Sequence, residues 1–231
     1  MNIKKATLIL LLCVSLYPFC YGYAQDAGTH AQHSKHGQAN AHMTSIGFDQ
    51  LVERFESPER ESWQKPEEVI QLLGNLKGKT VIDIGSGTGY FSFRLANAGA
   101  QVIASDVDPR FIEFIKKRKQ DRKIPDQNLL VRQIPYDSPM ISKQEADIVL
   151  LVDVYHHIEN RPEYFKLVLS GLKPEGKLVV VDFKTIESPD GPPLFMRIDA
   201  EQVKQELTAA GFKTISINTT LLPWQYIVTA Q

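Results

Sequence analysis

From residue 80 onward, short apolar runs alternate with segments whose apolar residues recur at helical spacing. The runs TVIDI, DIVLLV and KLVVV are apolar on both faces, which is typical of strands covered by helices on each side of a parallel sheet. The pattern predicts strands over 80–84, 101–105, 129–134, 146–152 and 177–183. It predicts helices over 88–98, 109–119, 161–172 and 200–210.

The order of these elements predicts an α/β fold with a doubly wound, mostly parallel sheet. The last two apolar runs, 213–220 and 225–230, leave no room for a helix between them, so they are predicted to pair antiparallel as a hairpin. Upstream, Ser57-Pro58 and Pro66 each provide a helix start, which predicts two short helices ahead of the first strand. We expect one folded domain over 47–231.

The first 24 residues have the three parts of an export signal. Two lysines precede an apolar run over 6–19, and the small residues Gly22 and Ala24 precede a cut ahead of Gln25. The run has 14 residues, whereas a membrane-spanning helix needs roughly 20. A cleavable signal peptide over 1–24 is therefore predicted, with a periplasmic location and no stable membrane anchor.

Residues 25–46 are polar and small and have no hydrophobic period, which predicts a flexible leader. Its histidines could bind Zn²⁺, Cu²⁺ or Ni²⁺, but their spacing matches no closed structural site, so no metal site is assigned. These histidines are His30, His33, His36 and His42. Both cysteines, Cys13 and Cys20, lie in the segment expected to be removed, so the mature chain would have no thiol chemistry.

The net charge of the chain argues against a nucleic-acid partner. The 231-residue chain has a net charge of −1, and the loss of Lys4 and Lys5 with no acid takes it to −3. A weakly acidic chain has no electrostatic footprint for nucleic acid, so a nucleic-acid partner is not expected.

A glycine loop, Gly85-Ser86-Gly87-Thr88-Gly89, joins the first strand to a helix. Glycines permit close backbone contact with a ligand, and a helix start offers unpaired N–H groups, although a tight turn without a ligand has the same pattern. A dinucleotide-binding fingerprint would have glycine or alanine at position 90, where this chain has Tyr90. A P-loop would end in Gly-Lys-Ser/Thr, which is absent here, so neither motif is matched.

Two carboxylates narrow the choice of ligand. Asp83 precedes the loop, where it would repel a pyrophosphate but suit a cationic amine, and Asp106 ends the second strand, where it can accept ribose hydroxyls. A ligand with a ribose, an ammonium group and no phosphate fits this set, and S-adenosylmethionine is such a ligand.

Four segments in order, VIDIGSGTGYFSFRLA, VIASDVDP, DIVLLVDVYHHI and LKPEGKLVVVDF, resemble the successive motifs of class I S-adenosylmethionine-dependent methyltransferases. The resemblance covers residue 47 to the end and implies a seven-stranded sheet of order 3-2-1-4-5-7-6 with an antiparallel last strand. SPERESWQKPEEVI also resembles a bacterial subgroup, many of whose members have export signals and no assigned substrate.

The resemblance also implies roles for individual residues. Asp83, Gly85 and Gly87 would hold the methionine end, Asp106 the ribose, and Val107 the adenine face, while Asp153 would lie near the reacting methyl. Ile134 stands where many members have an acid that binds the adenine amine; Asp137 or the backbone would then substitute. The cofactor-binding set is Asp83, Gly85, Ser86, Gly87, Gly89, Asp106, Val107 and Asp153.

Methyl transfer from a sulfonium requires mainly alignment of the reactants, so no catalytic triad is expected. The candidates for a base are His156, Tyr155 and His157, which follow the fourth strand; a purely structural role for the histidines remains an equal alternative. Three further residues could form a lid over the cofactor: Arg60, Trp63 and Gln64. For Trp63, a role as a core anchor is an equal alternative. A substrate cap is expected over 184–202, with Met196 and Arg197 near the pocket.

The sequence thus favours an S-adenosylmethionine-dependent methyltransferase with a small-molecule acceptor. The alternative is a catalytically silent binding module of the same fold with a metal-binding, His-rich leader. An NAD-dependent dehydrogenase is a more distant alternative.

Overall fold

The computed structural model describes residue 37 and residues 39–231. The predicted signal peptide and the histidines His30, His33 and His36 lie outside these residues. Residues 39–45, the end of the predicted leader, are helical. Within residues 39–231 no helix has the length and apolarity to span a bilayer.

In the described part of the chain, seven strands form one sheet of order β3-β2-β1-β4-β5-β7-β6. Strands β3, β2, β1, β4 and β5 run parallel to one another, and β7 is antiparallel to both of its neighbours, β5 and β6. This confirms the predicted fold class and strand order. The strands are β1 Thr80–Ile84, β2 Gln101–Asp106, β3 Leu129–Gln133, β4 Ala146–Val152, β5 Leu172–Phe183, β6 Ile215–Asn218 and β7 Gln225–Ala230.

Helices cover both faces of the sheet. The segment between residues 48 and 73 contains three helices where the sequence predicted two, because Phe48–Phe55 forms an amphipathic helix that no proline introduces. The helices are α1 Phe48–Phe55, α2 Glu59–Gln64, α3 Pro66–Leu73, α4 Tyr90–Asn97, α5 Pro109–Asp121, α6 Arg161–Gly171 and α7 Ala200–Ala210. Short 3₁₀ turns occur at Tyr155–His157 and Leu194–Met196.

Both faces of the central strands are apolar because each face packs into a hydrophobic cluster. Successive residues of a strand point to opposite sides. Ile82 and Val149 belong to one hydrophobic cluster, whereas Val81 and Leu150 belong to a second cluster on the other face. Each central strand therefore contributes to two cores.

Strand β5 begins five residues earlier than predicted. Leu172 pairs with Ala146, and the register then shifts before Lys177 pairs with Ile148. The prediction depended on the continuous apolar run from residue 177, and the residues before it, LKPEG, lie at this irregularity and are not such a run. Val152 at the end of β4 pairs with Val181, so β5 extends two residues beyond β4 at the carboxyl edge of the sheet, where open parallel sheets bind ligands.

Candidate functional site

A cavity of about 250 Å³ lies at the carboxyl ends of β1, β2, β4 and β5. The loops that follow these strands form its floor. The helical segment 39–45, helices α1 and α2 and the loop over 190–196 contribute the remaining walls. Strand β1 lies between β2 and β4, so the cavity occupies the point where the strand order reverses.

The glycine loop after β1 is held against β2 in a conformation that side chains disfavour. Gly85, Gly87 and Gly89 have φ values of +69°, +53° and +80°. The N–H groups of Gly85 and Ser86 both donate to the carbonyl of Ser105, at 2.8 and 3.0 Å. A Cβ at Gly85 would lie 2.3 Å from Cγ2 of Val154. The two loops that flank the cavity thus touch at a position that only glycine fits.

Two hydroxyl groups on this loop test whether the site suits a polar cofactor. The Oγ of Ser86 and the Oγ1 of Thr88 are buried, and within residues 39–231 neither has a hydrogen-bond partner. Both residues line the cavity. Buried hydroxyls without partners are costly, so a ligand that supplies polar atoms here fits the residues present.

Asp106 lies at the end of β2 and faces the loop. Its two oxygens accept hydrogen bonds from the N–H groups of Gly87 and Asp108, at 2.8 and 2.9 Å. A carboxylate has about four acceptor positions, so further donors such as ribose hydroxyls can still be bound. Burial raises the pKa of Asp106 to about 6, against the lowering effect of these N–H donors.

Asp83 lies deeper, at 3% exposure. The hydroxyl of Ser92 donates to its Oδ2 at 2.6 Å. Burial raises the pKa of Asp83 to about 7, opposed by the Ser92 hydrogen bond and reinforced by the charge of Asp106. The site therefore contains two carboxyls that a cationic ligand would favour in the ionised form.

Asp153 belongs to a polar network rather than standing alone in the cavity. It has a left-handed backbone, with φ +60°. The side-chain amide of Gln64 donates to its Oδ2 at 2.9 Å, the amide of Gln225 donates to its Oδ1, and Nη2 of Arg60 is 3.9 Å away. Burial raises the pKa of Asp153 to about 6, with Arg60 opposing.

Gln225 was missed in the sequence analysis. The available signal was an amide side chain at the first position of an otherwise apolar strand, β7, where Gln225 is fully buried. Its partner lies 72 positions away along the chain, so only the fold brings them together.

Arg60 and Trp63 of α2 line the cavity, and so does the glycine loop. The guanidinium of Arg60 lies over the ring of Tyr90, 4.2 Å from its centroid. Trp63 contacts Phe183 and Trp224, with ring centroids 5.6 and 5.7 Å apart. The lid and core-anchor interpretations of Trp63 are therefore compatible, because one face packs in the interior while the residue borders the cavity.

The two histidines after β4 border the cavity and have different partners. Nδ1 of His156 lies 3.0 Å from both oxygens of Asp182, and Nδ1 of His157 lies 3.0 Å from Oδ1 of Asn40. Burial lowers the pKa of His156, but the charge and hydrogen bond of Asp182 outweigh it and raise the pKa above its ordinary value. The sequence analysis did not identify Asp182.

Tyr155, the third candidate base, is not brought into the cavity. It is fully buried on the opposite side of the 3₁₀ turn, where its hydroxyl donates to Glu206 at 2.6 Å and its ring stacks on Phe165. Burial raises its pKa far above the ordinary value for tyrosine, with the Glu206 carboxylate adding to the effect. A proton acceptor in contact with a substrate is therefore not provided by Tyr155.

Of the residues expected near adenine, Val107 and Ile134 line the cavity, whereas Asp137 lines a separate depression beside it. In the cap, Met196 lines the cavity. Arg197 instead holds the cap segment together, because its guanidinium donates to the carbonyl groups of Pro192 and Ile186 at 2.8 and 2.6 Å.

The helical segment 39–45 contributes Asn40, His42 and Met43 to the cavity wall. The amide of Asn40 also donates to the carbonyl of His157 at 3.2 Å, so this segment is attached to the turn after β4. Among the described residues, no three His, Cys, Asp or Glu side chains are grouped as metal ligands.

Comparison with known proteins is consistent with this geometry. The sequence profile of a methyltransferase-domain family matches residues 75–226. The match spans the glycine loop, β2, the turn after β4 and the start of β7. The chain belongs to this methyltransferase-domain family, whose cofactor is S-adenosylmethionine.

Curated relatives cover only parts of the chain. The demethylmenaquinone methyltransferase of Tropheryma whipplei is 31% identical over 49% of this chain and 45% of its own length. The ubiquinone biosynthesis O-methyltransferase of Acinetobacter baumannii is 28% identical over 65% of this chain and 60% of its own length. The cypemycin N-terminal methyltransferase of a Streptomyces species is 32% identical over 36% and 39%. The chain thus spans about two fifths to three fifths of these relatives.

Solved structures show the same fold. An S-adenosylmethionine-dependent methyltransferase from Aquifex aeolicus has a TM-score of 0.73 at 20% identity, covering 80% of this chain and 98% of its own. The magnesium protoporphyrin IX methyltransferase of Synechocystis, with bound S-adenosylhomocysteine, has a TM-score of 0.56 at 20% identity, covering 72% and 81%.

Proposed function

We propose that this chain is an S-adenosylmethionine-dependent methyltransferase that acts on a small-molecule acceptor. The observation that carries the proposal is the cavity at the switch point of the sheet, where the glycine loop, Asp83, Asp106 and two buried hydroxyls without partners in residues 39–231 converge. When bound, the cofactor supplies an activated methyl group on a sulfonium.

The residues of the chain have separate tasks in this proposal. Asp106 accepts the ribose hydroxyls, and the loop Gly85–Gly89 permits the close approach of the nucleoside. Asp83 attracts the ammonium group, and Val107 packs against the adenine. Asp153, held by Gln64 and Gln225, shapes the wall where the methyl group is transferred. Alignment of this kind contributes on the order of 7–11 kcal/mol to catalysis.

A small acceptor is favoured by the walls of the cavity. The segment 39–45 and the cap around Met196 cover it, and the aromatic rings of Trp63 and Phe183 border it. Curated relatives include enzymes named for demethylmenaquinone and others named for tRNA U34. The weakly acidic net charge gives no support to a nucleic-acid substrate.

Calorimetry with S-adenosylmethionine and S-adenosylhomocysteine tests the proposal. We expect both to bind wild-type protein and Asp106→Ala to bind them at least tenfold more weakly, because the paired ribose hydroxyls lose their acceptor. Zinc binding without cofactor binding would instead support the binding-module alternative. Incubation of cell extracts with S-adenosylmethionine labelled in the methyl group then identifies the acceptor.

We further propose that the chain belongs to the exported bacterial subgroup, with residues 1–24 as a cleaved signal and the mature enzyme in the periplasm. The support is the order of charged, apolar and small residues in this segment. Cell fractionation and N-terminal sequencing should find a periplasmic protein that starts at Gln25. A cytoplasmic protein that retains Lys4 and Lys5 would refute this.

A further inference from the structure

The chain that follows β3 lies beside the residue proposed to bind the ribose. The backbone N–H of Ile134, directly after β3, donates to the carbonyl of Asp106 at 3.0 Å. Ile134, Pro135 and Tyr136 all line the cavity, and so does Val107, the residue after Asp106. A nucleoside whose ribose is bound by Asp106 therefore presents its base to these residues.

Residues 134 and 135 lack groups that would recognise the edge of adenine that carries its amino group. Ile134 has an apolar side chain, is 5% exposed, and donates its N–H to Asp106. Pro135 has no backbone N–H. The side chain of residue 134 thus provides no acceptor for the amino group, and the backbone nitrogens of both residues provide no donor for a ring nitrogen.

Two acidic side chains near this position are either engaged or outside the cavity. Asp108 lines the cavity, but the guanidinium of Arg110 donates to both of its oxygens, with Nη2 2.6 Å from Oδ2. The backbone N–H of Arg110 also donates to Oδ1, at 2.9 Å. These contacts fill the roughly four acceptor positions of a carboxylate. Asp137 lines the adjoining depression and not the cavity.

Solvent reaches this side of the cavity through the depression. Tyr136 and Tyr164 line both the cavity and the depression, which has a volume of about 480 Å³, and Tyr136 is 54% exposed. An amino group without a protein partner is tolerated where water can bond to it. The hydroxyl of Tyr136 both donates and accepts, so it does not distinguish an amino group from a carbonyl.

We propose that this enzyme binds the base of its cofactor by shape and apolar contact and does not recognise the amino group at C6. This rests on the proposed function. Val107, Ile134 and Pro135 form an apolar base slot that takes a flat purine, while Asp106 keeps the selectivity for the ribose. The class of ligand is therefore broader than adenosyl compounds, and it includes S-inosyl nucleosides and adenosyl nucleosides substituted at N6.

Calorimetry with three thioether ligands tests the base slot in wild-type protein. S-inosylhomocysteine has a carbonyl at C6 where S-adenosylhomocysteine has the amino group. We expect the Kd values of these two to agree within roughly fivefold, because the group at C6 keeps water as its partner in both. The 2′-deoxy analogue of S-adenosylhomocysteine is the positive control and should bind at least roughly tenfold more weakly, because Asp106 loses a donor.

Ile134→Asp introduces the missing acceptor. Its carboxylate can accept from the amino group but repels the carbonyl of the inosyl compound, so this variant should prefer S-adenosylhomocysteine by about tenfold or more. Ile134→Val is the matched control: it keeps the position apolar and should retain the wild-type ratio. Asp137→Asn should retain the ratio as well, because Asp137 lies outside the cavity.

The N6-benzyl derivative of S-adenosylhomocysteine tests the role of the depression. It should bind wild-type protein within about tenfold of the parent, because the benzyl group displaces loosely held water there. Asn160 lines the depression but not the cavity, and its side chain makes no capping hydrogen bond. Asn160→Trp should therefore weaken binding of the benzyl derivative at least roughly tenfold by overpacking and leave the parent unaffected. Asn128→Trp, at an exposed position before β3 and at the opposite edge of the sheet, is the control and should change neither.

Several outcomes would overturn the proposal. They are a larger preference of wild-type protein for S-adenosylhomocysteine over S-inosylhomocysteine, rejection of the benzyl derivative by wild-type protein, and no gain of preference in a folded Ile134→Asp. If Ile134→Asp does not fold, the two ligand comparisons in wild-type protein decide the question. The failure of the proposed function is distinct: in that case wild-type protein does not bind S-adenosylhomocysteine at all, whereas here it binds it and discriminates against the other ligands.

Discussion

At the scale of single residues, the site is defined by carboxyl groups whose burial works against their ionisation. Asp83, Asp106 and Asp153 all have raised pKa values, and in each the main cause is burial. A protein that needed only to be stable would not keep three such groups together. Their presence is explained by a ligand that brings positive charge and hydrogen-bond donors into the cavity.

The raised pKa of Asp83 predicts that cofactor binding depends on pH. A cationic ligand favours the ionised carboxyl, so binding releases a proton wherever Asp83 is protonated. Because the pKa is raised to about 7, affinity should fall by up to about tenfold per pH unit below about 7. Calorimetry over this range should show the dependence in wild-type protein and a smaller one in Asp83→Asn.

The same group predicts the opposite effect on stability. Its pKa is 3.8 when unperturbed and about 7 in the folded chain, so its contribution to stability is complete below 3.8 and is lost as the pH rises through about 7. Without ligand at pH 8, Asp83→Asn should therefore have a higher Tm than wild-type protein, while it binds the cofactor more weakly. A lower Tm in this variant would contradict the burial argument.

Gly85 offers a second test at this scale. Gly85→Ala combines a left-handed backbone with a Cβ 2.3 Å from Val154. Gly78→Ala is the matched control, since Gly78 has φ +73° and no atom within 4 Å of the added carbon. Both should lose about 1–2 kcal/mol from backbone strain, and Gly85→Ala a further 1–3 kcal/mol from overpacking.

Denaturant unfolding measures these differences. The additional loss in Gly85→Ala should be recovered in part by Val154→Ala in the same chain, because the clashing methyl groups are removed. Equal losses in the two glycine variants, or no recovery, would show that contact between the two loops is not the constraint.

At the scale of secondary-structure elements, the ends of the strands position the loops that line the cavity, and the helices help to cover it. Strand predictions were accurate where the sequence signal was local: β1 and β4 occupy the predicted residues. Helix α7 also has its predicted bounds, with Asp199 accepting from the N–H of Glu201 at its start and Gly211 at its end. The segment 39–45 was not predicted, because its contacts are with the turn after β4.

That segment yields a prediction about ligand exchange. Asn40 makes two hydrogen bonds to His157, at 3.2 and 3.0 Å. Each is worth about 1 kcal/mol, so Asn40→Ala should release S-adenosylhomocysteine roughly tenfold faster in stopped-flow experiments. The control is Ser45→Ala, which removes a hydroxyl that bonds only within the same segment, to the carbonyl of His42. Identical release rates would mean that the segment does not retain the ligand.

At the scale of the whole molecule, the cavity joins loops from four strands, so a bound cofactor should stabilise the fold as a unit. At 100 times its Kd, S-adenosylhomocysteine should add about 2.7 kcal/mol, which for this length corresponds to a Tm increase of roughly 5–10 °C. Thermal denaturation with NAD is the control and should show no shift. A shift with NAD alone would favour a dehydrogenase.

The strand order was implied by the resemblance to class I methyltransferases, whereas the local sequence pattern was sufficient for the fold class and for the position of the glycine loop. These features depend on neighbours in the chain: apolar runs, prolines and caps at helix starts, and glycines at a strand–helix junction. Such signals lie within a few residues of one another, and no long-range contact is needed to interpret them.

Only the tertiary structure decided which side chains share the cavity. Successive residues of a 3₁₀ turn point about a third of a turn apart, so Tyr155 and His156 face different sides although they are adjacent. Asp182 and Gln225 reach their partners because β5 and β7 lie next to each other and close to β4. The pairing of buried polar groups depends on strand neighbours and register, and the local pattern of a sequence does not contain that information.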